Sequence, residues 1–514
     1  MKTKKSIKKI TKINKNRKRS KTINKNRKNR KTIKKNKKNN STDHKLLHIK
    51  RSHCTKTKSQ KGGEYLGSGG FAICVVTPPL KCSERPDLAK YMNTKFISKL
   101  VEYRESRSST IEMEIKHGET VTKVDPQGKY FAPVITSCYF TPQKHGDVVY
   151  KKGNKIDSSD LYYTSSNGVD KTKETYNTED PDDQYYDYVS YSPSNKCTIH
   201  KDKIYMNLIL RNAGKSFKKV FNGGESGNFT YGFIKKNLKK VMFHLCHGLM
   251  LLHNNHIAHK DVKMDNLTIK YNVKGKKARV NFIDFGLSET VFARDYTEYE
   301  YLELLGGGTL VYTPPDVRLL SVLIRKLIKH NKGNISDPLG HLKNIVTNDN
   351  RMRKFEKNIN AQFHSIGLRK GGIVLDNYPE TRSKRNKDKF YTEKDRNKLY
   401  DMILNDIQKG KLDKEYFGPH GHFYKWDVYS LGLVFAKFIK KLGVTDSKCI
   451  SLVNNMINLN YRTRFNVLQC LNHNYFKGIE ETEFVEIYEN YPINREQLKK
   501  GIHLLENKIK KHHI

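Results

Sequence analysis

Residues 259–286 confine this chain more than any other stretch. "HKDVKMDNLTI" (259–269) sets His259, Lys260, Asp261, Lys263, Asp265 and Asn266 close together before the pattern turns apolar. Leu267, Ile269 and Tyr271 alternate with polar neighbours, Lys274-Gly275-Lys276 supplies a turn, and Ala278, Val280 and Phe282 alternate again. That is a β-hairpin pattern, and it ends in "IDFG" (283–286). A hairpin returns its second strand to the start of the first, with neighbouring strands roughly 5 Å apart. Asn266 and Asp284 are therefore expected side by side. An amide oxygen and a carboxylate so placed are hard ligands of the kind Mg²⁺ takes alongside phosphate oxygens and water. In the preceding loop, Asp261 can accept the proton of an attacking hydroxyl. Lys263, on the same side of an extended backbone, can neutralise a transferring phosphoryl group. A merely solvated loop would explain the charges but not the hairpin behind them.

His259-Lys260-Asp261-Val262-Lys263-Met264-Asp265-Asn266 and Asp284-Phe285-Gly286 resemble the catalytic loop and metal-binding triplet of eukaryotic-type protein kinases. The resemblance implies an α+β, two-lobed protein-kinase fold with a β-rich N-lobe and a mainly helical C-lobe. It also implies ATP as donor, Mg²⁺ (or Mn²⁺) as metal and a protein as acceptor. Lys263 and Thr309 resemble the serine/threonine rather than the tyrosine kinases.

Other segments fall into the same register. "YLGSGGFAICVV" (65–76) resembles the nucleotide-covering loop, in which Gly67, Gly69 and Gly70 let backbone N–H groups approach phosphates; Ala72 stands where the family has a third glycine. "TKFISKLV" (94–101) resembles the ATP-anchoring strand, with Lys99 as its lysine. Glu114 fits as the acid that pairs with Lys99, because Val121 lies on the same helical face; Glu112 is the alternative. "KIYMNLILRNAGKSF" reads as strand and hinge, with Leu210 as gatekeeper and residues 211–213, including Asn212 and Ala213, touching adenine. Its "GKS" is no phosphate loop, because the glycine required five positions earlier is Ile209. "NLKKVMFHLCHGLMLLHNNHI" is the buried helix that delivers the catalytic loop. Residues 287–308 form an activation segment after Phe285 and Gly286, with Ser288, Thr290, Tyr296, Thr297, Tyr299 and Tyr301 as candidate phosphosites. "GTLVYTPPD" (308–316) places Thr309 near the acceptor hydroxyl and Asp316 where the family has glutamate, with Arg464 as its ion-pair partner. The shorter acid predicts a weaker or shifted pair. In "KWDVYSLGLVFAKFI" (425–439), Asp427 is expected to accept hydrogen bonds from the backbone around His259.

Composition adds a tail. The 514 residues carry a formal net charge of +46, of which residues 1–60, with 25 Lys/Arg against Asp43 alone, contribute +24. "TKINKNRKRSK", "TINKNRKNRK" and "TIKKNKKNN" are imperfect repeats of about ten residues with too little apolar surface to order themselves. The tail is expected to be disordered. It is read either as a solubilising extension or as a patch for nucleic acid or an anionic surface. No run approaches the ~18 apolar residues of a membrane span. With no signal-peptide core, the expected location is intracellular, in the cytoplasm or nucleus of a host cell, with packaging into a virion left open. Scattered cysteines without CxxC pairs suit reduced thiols. The histidines at 244, 247, 253, 256 and 259 have metal-like spacing but no second ligand cluster.

The expected layout is a disordered basic tail (1–60), an N-lobe (61–212) interrupted at 141–199, and a C-lobe (213–480) interrupted at about 318–424. A helical extension (481–514) follows. "RLLSVLIRKLIKHNK" is an amphipathic helix inside the second insertion, whereas "LRKGGIVLDNYPETRSKRNKDKF" reads as loop. "VDP" followed by "YF" resembles kinases of large (giant) DNA viruses, in keeping with the Lys/Asn/Ile/Tyr-rich composition. Lys260 replaces the family's usual arginine and cannot form its bidentate grip on a phosphate, so weaker dependence on activation-loop phosphorylation is expected. The rival from another class is a pseudokinase scaffold tethered to nucleic acid by the tail.

Overall fold

The computed structural model describes residues 64–67, 74–80, 85–104, 108–140, 148–151, 196–199, 203–223, 229–272, 277–291, 298–330, 350–365, 368–369, 372–373, 390–409, 415–416 and 421–479. The basic tail, Gly69, Gly70, most of the first insertion, Tyr296, Thr297 and the terminal segment 481–514 lie outside them. Everything below belongs to the unit His53–Ile514.

Strands β1 (Glu64–Gly67), β2 (Cys74–Thr77), β3 (Phe96–Glu102), β4 (Val134–Phe140) and β7 (Tyr205–Arg211) form an antiparallel sheet in the order β1-β2-β3-β7-β4. β5 (Val148–Lys151) and β6 (Lys196–Ile199) pair with each other inside the first insertion. Alternation along β3 and β7 gives the sheet two apolar faces. Val101, Met206, Leu208 and Leu210 pack with Ile111 of helix α1 (Ser108–Val124), while Ile209 and Cys138 pack with Leu88 on the other side. Gly118 lets α1 lie close to β4, since a Cβ there would meet the Val134 carbonyl oxygen at 2.5 Å. Cys138 is disulfide-bonded, which departs from the reduced thiols expected; Cys246, Cys449 and Cys470 are free and buried.

The "VDPQGKYF" stretch fastens the sheet to the helical part. The Asp125 carboxylate accepts from the N–H groups of Lys129, Tyr130 and Phe131 at 2.9, 2.7 and 3.0 Å. The loop so fixed exchanges backbone bonds with the strand that ends at Phe282: Phe282 N–H donates to Tyr130 O (2.8 Å) and Ala132 N–H to Phe282 O (2.9 Å).

After Lys215–Ser216 (β8), the chain is mainly helical. Helix α2 (Leu238–Asn254) buries Leu245, Cys246, Leu249 and Leu252, at the helical spacing that sends one stripe into the core. It feeds β9 (Ile257–Ala258), which pairs with β12 (Glu289–Thr290) and so clamps the two ends of the catalytic segment together. Between them, β10 (Leu267–Asn272) and β11 (Lys277–Phe282) form the expected hairpin, with Leu267 opposite Phe282. Helices α3 (Glu298–Leu305) and α4 (Pro315–His330) follow, with Pro315 at the first turn, where its missing N–H has no helical partner to lose.

Between 331 and 424 the described residues include two helices that no sequence pattern pointed to. α5 (Asn350–Ser365) and α6 (Glu393–Gln408) are joined by an Arg396–Glu356 ion pair, and a two-stranded turn, 368–369 with 372–373, stands where a loop was read. Met352, Phe355, Ile359 and Phe363 form a buried stripe on α5 that lysine and asparagine dilute in the sequence. α7 (Lys425–Leu442) crosses the core and ends at Gly443, whose φ of 64° is the left-handed stop a glycine supplies at no steric cost. α8 (Ser447–Met456) packs against it.

Candidate active site

The hairpin does what its pattern predicted. Register Leu267↔Phe282 sets Asn266 and Asp284 at its open end, where Ile283 N–H donates to Asn266 O at 2.9 Å. Asn266 Nδ2 donates to Asp261 O (3.0 Å) and Asp261 Oδ2 (2.8 Å), and among the described residues its amide oxygen has no partner. Asp284 sits at φ 66° and Lys260 at φ 63°, a left-handed conformation that side chains seldom adopt away from functional sites.

Asp427 holds the loop from below. Entirely buried on α7, it accepts from His259 N–H (2.7 Å) and Lys260 N–H (2.8 Å), as expected, and also faces His253 Nε2 at 3.1 Å. The His259 ring faces Ile283 O at 3.1 Å, tying the loop to the residue before Asp284. The remaining histidines are structural: His244 Nε2 faces Val280 O, and both His244 and His247 stack on Tyr130. No cluster of metal-ligating side chains occurs among the described residues.

Asp261, Lys263 and Thr309 form a closed triangle. Thr309 Oγ1 donates to Asp261 Oδ1 at 2.6 Å, Lys263 Nζ donates to Asp261 Oδ2 at 2.7 Å, and the same ammonium reaches Thr309 Oγ1 at 2.8 Å. Thr309 N–H adds a bond to Asp261 Oδ1 at 3.1 Å. A carboxylate and an ammonium thus converge beside a hydroxyl at the end of the activation segment.

From the sheet, Lys99 Nζ reaches both Glu114 Oε1 and Asp284 Oδ1 at 2.7 Å. Of the two acids weighed for this role, Glu114 is buried on α1 and Glu112 is exposed. Burial disfavours the Lys99 charge, but the carboxylates of Asp284 and Glu114 outweigh it and hold its pKa above the ordinary lysine value. Burial raises Glu114 despite Lys99; Asp284 stays below the usual carboxylate range because Lys99 outweighs its burial. Gly286 lies at this corner, where a Cβ would come into ordinary contact with Glu114 Oε2 at 3.4 Å. Phe285 is buried and packs edge-on to Phe131.

Leu210 lies opposite Ile97, on the face of the sheet that carries Lys99. Ala213 is buried. Asn212 differs from its expected role: its N–H already donates to Lys95 O at 2.7 Å and its carbonyl accepts from Lys270 Nζ at 3.3 Å. Gly67 closes β1.

Asp316 and Arg464 meet at 2.6 Å with neither exposed, so the shorter acid still reaches its partner. Tyr416, from the second insertion, donates its hydroxyl to Asp316 Oδ2 at 2.9 Å and completes the carboxylate's coordination. No local pattern marks Tyr416, because the contact spans 100 positions. Lys260 is likewise buried, with Nζ 3.6 Å from Glu289 Oε1, 3.4 Å from Glu303 O and 5.8 Å from the centre of the Trp426 ring. Ser288, a candidate phosphosite, is buried against His259 O.

The family model of the protein kinase domain matches residues 193–320. The chain is 32% identical over 85 residues to calcium-dependent protein kinase 6 of Plasmodium berghei (strain Anka), which is 16% of this chain and 5% of that protein. It is 31% identical over 90 residues to the serine/threonine-protein kinase H1 homolog of Pinctada fucata, 18% of this chain and 20% of that one. To the H1 homolog of Danio rerio it is 25% identical over 166 residues, 32% and 36% of the two chains. The matches therefore span little more than a third of these relatives at most. They support a eukaryotic-type protein kinase. Lys99, Glu114, Asp427 and Arg464 lie outside the family match, and their ion pairs and hydrogen bonds tie them to the residues inside it.

Proposed function

We propose that this chain is a serine/threonine protein kinase that transfers the γ-phosphoryl group of ATP to protein hydroxyls. The observation that carries the reading is the convergence of Asp261, Lys263 and Thr309 beside Asn266 and the Lys99–Asp284 pair. In this reading Asp261 orients the acceptor hydroxyl and takes its proton, and Lys263 offsets charge developing on the transferred group. Lys99, oriented by Glu114, positions the α- and β-phosphates under the glycines at 67, 69 and 70; Leu210 and Ala213 border the adenine. Thr309 sets the acceptor, while Asp316 with Arg464, and Asp427 with the His259 backbone, keep the segments in place. The amide oxygen of Asn266 and the carboxylate of Asp284 fit a divalent cation: both are hard oxygen donors, and Asn266 already spends its NH₂ group on Asp261. Bound there, Mg²⁺ would neutralise phosphate charge.

The reading carries a layout with it. Residues 61–212 form the N-lobe and 213–480 the C-lobe, with insertions at 141–199 and about 318–424. The tail supplies affinity for nucleic acid or an anionic surface. An intracellular setting of viral origin rests on the "VDP…YF" pattern and composition. Among the described residues no helix is long and apolar enough to cross a membrane.

The test is Mg²⁺-dependent transfer of labelled γ-phosphate from ATP to a generic protein substrate, comparing the full chain with its Asp261→Asn and Asp284→Asn forms. Incorporation on serine or threonine by the parent alone is expected. If no form incorporates label while all remain folded, the scaffold reading takes its place.

A further inference from the structure

One charged group beside the acceptor position has no role in the chemistry above. Lys437, on α7, is half-buried. Its ammonium donates to Tyr312 Oη at 2.6 Å and lies 4.6 Å from the centre of that ring. Tyr312 is in the same turn as Thr309, to which its N–H donates at 2.8 Å, and Thr309 in turn binds Asp261. Burial, with Asp265 nearby, holds the Tyr312 hydroxyl well above the ordinary phenol pKa, so it remains neutral and cannot offset the lysine charge.

The surroundings offer little else. Burial pushes Lys437 down to about 8, only partly opposed by Asp265, and Lys218 presses it further down. Asp265 itself pairs with Lys218 at 2.9 Å, and Lys218 N–H is held on Met264 O, which keeps a second lysine at the catalytic loop. Among the described residues no carboxylate pairs with Lys437. A partly desolvated ammonium left without a counter-charge is costly, and a carboxylate from outside would relieve that cost.

We infer that Lys437, supported by Lys218, is a specificity-determining residue that selects protein segments carrying aspartate or glutamate next to the phosphoacceptor. The inference rests on the kinase reading in placing the acceptor at Asp261. Lys437 acts on the flanking residues of the substrate and not on the transferring group. A substrate carboxylate would add a counter-charge to the ammonium, while a basic flank would meet like charge.

The experiment separates recognition from transfer. Short fluorescent peptides with alanine at the acceptor position and aspartate, glutamine or lysine on its flanks are titrated into the full chain, and binding is read by anisotropy. The aspartate peptide is expected to bind at least about tenfold more tightly than the lysine peptide, the scale of one close charge pair. Lys437→Met should remove most of that ratio and Lys437→Glu should invert it, with binding of the glutamine peptide unchanged as the sign of an intact fold. Lys440→Glu, an equal charge change further along the same helix, should leave the ratio alone. An equal ratio in parent and Lys437→Met, or an equal loss in Lys440→Glu, would assign the effect to bulk charge and overturn the inference. Serine versions of the peptides report transfer independently. Charge-selective binding without transfer would remove the kinase reading and leave Lys437 as a selector of acidic segments with no phosphoacceptor; transfer without selectivity would keep the kinase reading and overturn the inference.

Discussion

Lys99 and Asp284, 185 positions apart in sequence, meet at 2.7 Å. The same ammonium holds Glu114 at 2.7 Å, so one lysine joins sheet, helix and catalytic hairpin. Lys99→Met should therefore lose activity and stability together. Removing one partner of a buried pair costs about 3–5 kcal/mol, because the two carboxylates are left facing each other. Lys99→Met combined with Glu114→Gln should recover part of the stability but none of the transfer activity, as urea denaturation and γ-phosphate incorporation would show. Recovery of both would mean that Lys99 only offsets Glu114.

The Asp316–Arg464 pair makes a purely structural prediction. Neither side chain is exposed, and the Arg464 guanidinium also lies 4.9 Å from the centre of the Tyr429 ring. Asp316→Ala should destabilise the chain by about 3–5 kcal/mol, whereas Tyr416→Phe, which removes one bond to the same carboxylate, should cost about 1–3 kcal/mol. Chemical denaturation measures both; equal costs would place the main restraint on Tyr416.

Lys260 has its charge met inside the chain, by Glu289 at 3.6 Å and the Glu303 carbonyl at 3.4 Å. Phosphatase-treated protein should keep its transfer rate within about twofold, because no phosphate is needed to hold this segment. Glu289→Gln should lower the rate more than phosphatase does. Abolished activity after phosphatase treatment would show that a phosphate is required after all.

Stability should fall in mild acid. Burial pushes His244 and His422 down to about 3 and His117 and His247 down to about 4, so the folded chain keeps these rings neutral. The unfolded chain binds protons on the same rings near pH ~6.5, and stability is lost wherever the unfolded state binds more protons. Urea midpoints measured downward from pH 7 should therefore begin to drop near pH ~6.5 and keep dropping as the pH approaches about 4. A flat midpoint between pH 7 and pH 5 would contradict neutral burial of these rings.

Much of this was legible because it is local. The hairpin register, the buried stripe of α2 and the placing of Asn266 and Asp284 at the hairpin's open end all follow from alternation and helical period over short spans. α5 and α6 escaped because their apolar positions are diluted by lysine and asparagine, so their amphipathic faces are plain only once packed. Asn212 was expected to touch adenine through its backbone, and only the fold shows Lys95 O taking its N–H.

By itself the sequence determined which groups could do chemistry: the loop 259–266, the triplet 284–286 and a lysine at 99, each carried by residue type and short spacing. Tertiary structure alone decided their partners. It chose Glu114 over Glu112, brought Tyr416 to Asp316, closed Lys260 onto Glu289, and set Lys437 beside Tyr312 with no paired carboxylate among the described residues. Periodicity fixes which face of a strand or helix is buried. Which charges meet across distant elements depends on how those faces dock, and that is settled by packing over the whole core.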